Sequence, residues 1–115
     1  MIQWFATAIW VYTKPIDFRK QTVGLMMLVS DVMKKDPVKD GVYVFRNKKA
    51  DRVKLLWWDG TGFWMCYKIL ETGKLMFPTD ESGILKITQE QCQWLLTGRT
   101  YLQVKLDKKT PKLFY

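Results

Sequence analysis

The sequence contains no histidine. That absence removes the commonest general base near neutral pH and the commonest imidazole metal ligand. Cysteine is scarce as well. Cys66 and Cys92 stand far apart, with no C-x-x-C or Cys/His spacing, so a zinc site is not expected. Cys66 falls in a strand pattern and Cys92 in a helix pattern, and both read as buried free thiols of a reducing cytoplasm. No apolar run approaches the roughly 18 residues that a membrane helix requires. The opening Met1-Ile2-Gln3-Trp4-Phe5 carries no basic leader and no cleavage signature. The expectation is a cytoplasmic protein without membrane contact. Acidic residues number eleven, and most have a local use: Asp17 at a helix start, Asp51 and Asp59 in turns, Asp80 and Glu81 in a loop. A metal-dependent nuclease needs carboxylates that converge on metal ions. The pattern therefore predicts neither an enzyme nor a cofactor.

What the chain does have is positive charge and aromatic surface. Its 115 residues fit one compact domain, 48% hydrophobic and 15% aromatic, which excludes a disordered chain. The formal net charge is +8 and the pI about 9.6, a balance that favours an acidic partner such as nucleic acid or an anionic membrane.

The richest structural signal lies between Gly41 and Pro78. Strands are predicted at Val42–Arg46, Arg52–Trp58, Phe63–Leu70 and Lys74–Phe77, all rich in residues suited to a pleated surface. Asp59-Gly60-Thr61-Gly62 and Glu71-Thr72-Gly73-Lys74 supply turn glycines, whereas Asn47 to Asp51 has none and suggests a longer loop. Ahead of this meander, Ala6 to Tyr12 reads as a first strand. Asp17 reads as the N-cap of a long helix over Phe18–Lys35, with Thr22, Leu25, Met26, Val29 and Met33 as its buried stripe. After it, Ile84–Ile87 is a short strand and Thr88-Gln89-Glu90-Gln91 a capping box that opens a second helix ending at Gly98. The predicted class is α+β: an antiparallel meander sheet with one long helix on a face and a short C-terminal helix, in a single domain over 1–115. Residues 99–115 form a basic strand and tail that carries net +4 of the total charge. Leu25, Leu55 and Trp57 are assigned together to the core between helix and sheet.

Three pieces of this sequence resemble a known family. They are Asp17-Phe18-Arg19-Lys20; Val44-Phe45-Arg46-Asn47 with Asp51-Arg52 and Lys54-Leu55-Leu56-Trp57-Trp58-Asp59-Gly60; and Gly62-Phe63-Trp64 running on to Tyr67-Lys68 and Gly73-Lys74. Together they are similar to the TnpB accessory proteins of IS66-type insertion sequences, small proteins encoded beside a separate transposase in bacterial transposons. The likeness runs from about Ile9 to Gly98. Nothing in the chain resembles the much larger RNA-guided nuclease that shares the name. The resemblance implies an accessory, non-catalytic role in transposition, with transposon-end DNA, the transposase and other transposon-encoded proteins as expected partners.

The residues suggest where DNA would sit. Arg19, Lys20, Arg46, Lys48, Lys49, Arg52 and Lys54 are the candidate phosphate contacts, because cations interleaved with rings suit a phosphate backbone and its bases. The alternative is a protein-interaction module that bridges transposase subunits through Trp and Tyr, without touching DNA.

Overall fold

The computed structural model describes residues 8–39 and 41–97. Seven elements follow in order: β1 (Ile9–Tyr12), α1 (Thr22–Asp31), β2 (Val42–Arg46), β3 (Arg52–Trp58), β4 (Phe63–Ile69), β5 (Ile84–Ile87) and α2 (Gln89–Leu96). The strands form one mixed sheet in the order β4-β3-β2-β1-β5. β2, β3 and β4 are antiparallel neighbours, as the turn chemistry predicts. β1 runs parallel to β2 and antiparallel to β5, so the sheet is not a pure meander. A parallel pair needs a crossover, and α1 supplies it.

Both faces of the sheet are covered. On one side Leu25, Val29 and Met33 pack against Tyr43, Phe45 and Leu56. On the other, Cys92 and Leu95 of α2 join Leu75 over Ile9, Val11, Val44, Val53, Leu55 and Trp57. Double coverage explains why β2 is apolar almost throughout (VYVF) rather than alternating. It also corrects the assignment of the inner face. Leu55 and Trp57 are buried as expected, but on the face opposite Leu25, which meets Leu56 instead.

Other expectations change for local reasons. The first helix spans ten residues, not the predicted Phe18–Lys35. Asp17 caps a turn ahead of it: its Oδ1 accepts from the Arg19 amide at 2.9 Å, and its carbonyl accepts from the Lys20 amide at 3.1 Å. At the far end Lys34 takes a left-handed φ of +58°, and Met33 N–H bonds back to the Leu28 carbonyl. Lys74–Phe77 forms no strand. It crosses the sheet as a loop, tied by Leu75 N–H to the Ala50 carbonyl, with Leu75 plugged into the core. Cys66 is exposed on β4 rather than buried. The capping box of α2 forms as predicted, with Gln91 N–H on Thr88 Oγ1 at 3.1 Å and Thr88 N–H on Gln91 Oε1 at 2.8 Å. Gly98, the predicted last strand and the basic tail lie outside the described residues.

Candidate nucleic-acid interface

Strand directions decide which charges share one end of the sheet. β1 and β2 are parallel and β3 is antiparallel to β2, so the segment after β1, the β2–β3 loop and the segment after β4 all leave the same end. That end gathers Lys14, Arg46, Lys48, Lys49, Arg52 and, through the turn ahead of α1, Arg19 and Lys20.

The β2–β3 loop is held rigid by one side chain. Asn47 Oδ1 accepts from the amides of Asp51 (3.1 Å) and Arg52 (3.0 Å), while its Nδ2 donates to Asp51 Oδ1 at 2.6 Å. That last bond is the main reason the Asp51 carboxyl sits below its ordinary range. Ala50 closes the loop in the left-handed region at φ +57°. Behind the loop, the Asp51 carbonyl takes the Leu70 amide at 2.8 Å and the Ala50 carbonyl takes the Leu75 amide at 2.6 Å. With its back fixed, the loop leaves Lys48 and Lys49 exposed at its tip.

The remaining candidates divide by what already occupies them. Arg52 is exposed and directed by Tyr67, whose hydroxyl accepts from Nη1 at 2.8 Å. Arg19 forks onto Asp17, with Nη2 to Oδ2 at 2.6 Å, and this bond draws the Asp17 carboxyl down to about 2. Lys20 is exposed. Arg46 is half-buried and used by the fold: its Nε and Nη2 donate to the Thr13 carbonyl at 3.1 and 2.9 Å, stapling the end of β1 to β2.

Lys54 departs furthest from expectation. It is 0% exposed. Its ammonium donates to the carbonyls of Phe18 (2.8 Å) and Lys20 (2.7 Å) and lies 5.0 and 5.2 Å from the ring centroids of Phe18 and Tyr67. Burial pushes its pKa below the usual lysine range, against the opposing pull of Tyr67 and Asp17. A phosphate cannot reach it, so Lys54 leaves the set of contacts and becomes the post that fastens the chain entering α1. Tyr67 was missed from sequence, although its place opposite Lys54 in the β3–β4 register makes it the link between Lys54, Phe18 and Arg52.

At the other end of the β3–β4 hairpin lies an aromatic surface. Trp64, 54% exposed, stacks on Trp57 with centroids 5.9 Å apart and planes 10° from parallel. Asp59 accepts the Trp64 indole N–H at 2.8 Å. Trp58 is half-buried, edge-on to Phe63. A second apolar feature is an open groove of about 220 Å³ beside α2, lined by Met76, Pro78, Leu85, Ile87, Trp94 and Leu95. Among the described residues no helix is long and apolar enough to cross a membrane, and no three Asp, Glu or Cys side chains gather as metal ligands.

Comparison with known proteins agrees with the motifs. The family model described as IS66 Orf2 like protein matches residues 7–106. An "Uncharacterized protein y4jC" of Sinorhizobium fredii is 38% identical over 97 residues, covering 84% of this chain and 83% of the relative. A second protein of that organism, "Uncharacterized protein y4hO", is 31% identical over 90 residues, covering 78% of each. No solved structure matches the chain.

Proposed function

The chain belongs to the IS66 Orf2-like family of transposon-associated accessory proteins, and from that premise we propose that it contacts DNA through the β2–β3 loop without catalysing a reaction. The observation that carries this reading is the loop itself. Two exposed lysines stand at the tip of a backbone that Asn47 and the Leu70 and Leu75 amides hold in place. Arg52 stands at its base, oriented by Tyr67. Such an array meets a phosphate backbone as successive point charges and reads no base edge, so it favours affinity and positioning over sequence choice. Arg19 and Lys20 extend the positive surface, although Arg19 is already paired with Asp17. Arg46 and Lys54 support the site from within.

A second reading has its own observation. The Trp64–Trp57 stack and the groove beside α2 are apolar features of the kind found at protein interfaces. On this reading the chain bridges transposase subunits and leaves the lysines solvated.

Capture of the transposase encoded in the same element, with and without transposon-end duplex, separates the two. DNA-dependent capture that Lys48→Ala with Lys49→Ala weakens supports DNA contact. Capture indifferent both to DNA and to that double substitution overturns it in favour of bridging.

A further inference from the structure

Helix α1 faces the sheet with Leu25 and Val29, yet on its opposite side it leaves Val23 68% and Met27 57% exposed, one turn apart. At 3.6 residues per turn, Val23, Met27 and Asp31 follow one another down that outer side. Lys20 lies just ahead of the first turn. Its stem runs along the helix beside Gly24, close enough that a Cβ on Gly24 would lie 3.3 Å from Lys20 Cβ.

The two ends of this side carry the wrong charges for the helix they sit on. A helix favours anions at its N-terminus and cations at its C-terminus. Here the first turn has no acidic residue and the last turn no basic one, while Lys20 precedes the start and Asp31 is the final residue. Gln21, the N-cap, makes no side-chain cap. Among the described residues neither Lys20 nor Asp31 forms an ion pair.

An antiparallel copy of the same helix corrects all of this at once. A two-fold axis through the middle of that side sets Val23 against Met27 of the second copy, and Met27 against its Val23, as an isologous contact requires. The same operation lays Asp31 of each copy beside Lys20 and the positive helix end of the other. We propose that the outer face of α1 is a self-complementary interface through which two copies of this chain pair antiparallel. A nucleic acid gains nothing from Val23 and Met27 and is repelled by Asp31. The reversed image of the helix satisfies each of these residues. Ten residues of helix make a small contact, so the pairing belongs with the weak, reversible associations that bury less than about 1,200 Å². It does not depend on the DNA-binding reading and is measured without DNA.

The test is sedimentation equilibrium of the full chain over roughly 10 to 500 μM, the range in which a contact of this size would populate dimers. The wild type should show a monomer–dimer equilibrium. Met27→Asp and Asp31→Lys should each raise the dissociation constant about tenfold or more, the second by setting Lys20 against a lysine. Lys20→Asp combined with Asp31→Lys should restore it to within about threefold, because the swapped charges again face each other across the axis. The double variant also agrees with the dipole of its own helix, which favours folding, and circular dichroism is the check that it folds. A wild type that is monomeric throughout the range overturns the proposal. So does association unchanged by Met27→Asp, or a folded double variant that stays as weak as Asp31→Lys alone.

Discussion

The ammonium of Lys54, on a central strand, donates at 2.8 Å to the carbonyl of Phe18, in the turn that leads into α1. A second bond to the Lys20 carbonyl, at 2.7 Å, completes the tie. Carbonyls held this way are turned toward the sheet, which is why the helix begins at Thr22 and not at Phe18. Lys54→Met keeps the stem and removes both bonds. It should destabilise the fold by about 1–3 kcal/mol, the cost of leaving such acceptors unpaired. Urea denaturation measures it, and an unchanged midpoint would mean that the tie contributes nothing.

Leu25 is fully buried between α1 and the sheet, beside Tyr43, Phe45 and Leu56. Leu25→Ala should cost roughly 2–5 kcal/mol, combining lost transfer energy with the cavity left behind. Val23→Ala, on the exposed outer side, should change monomer stability by less than about 0.5 kcal/mol. Comparable losses for the two variants in dilute solution would contradict the burial pattern.

Asp59 should titrate well below an ordinary aspartate. The Thr61 amide and hydroxyl, the Trp64 indole and the Gly62 amide all donate to its carboxylate and draw its pKa from 3.8 to about 2. The folded value lies below the unfolded one. The stabilisation is therefore complete above about pH 4 and is lost as pH falls through about 2. The Trp64 indole proton, followed by NMR, should shift with a midpoint near pH 2. A midpoint near 4 would show that the indole bond is absent.

The two thiols should behave differently. Cys66 is exposed on β4, whereas Cys92 is fully buried on the inner side of α2, where desolvation pushes its pKa up to about 12. Only the thiolate is nucleophilic. Iodoacetamide on the native chain should modify Cys66 within minutes and reach Cys92 only on unfolding. Mass spectrometry of the digested protein reads both sites, and early modification of Cys92 would show that the core opens there.

How much of this was legible in the sequence follows from how local each feature is. The Thr88–Gln91 capping box and the limits of β2, β3 and β5 depend on neighbouring residues, and the structure reproduces them. The insertion of β1 parallel to β2 depends on a pairing across some thirty residues that no short window contains. Lys54 shows the limit most clearly. Alternation along β3 puts Lys54 on the same face as Leu56, but the strand alone does not say which face α1 covers. A lysine in such a place is ordinarily solvated, and without the helix above it nothing marked Lys54 as an anchor. Lys48 and Lys49 were easier to place, since a polar loop between two strong strands projects outward.

The central claim, that the β2–β3 loop meets DNA, is tested most directly by the salt dependence of duplex binding in the full-length chain. Each phosphate neutralised on duplex contributes a log–log slope of about −0.9, through release of condensed counterions. Lys48→Ala with Lys49→Ala should flatten the wild-type slope by roughly 1–2 units, with the fold intact by circular dichroism. Lys108→Ala with Lys109→Ala serves as the comparison, because residues 99–115 carry net +4 and would add a nonspecific attraction of their own. The account predicts that the loop substitutions flatten the slope and weaken binding at every salt concentration, whatever the tail contributes. Binding that is independent of salt, or a slope that only the tail substitutions change, would contradict it.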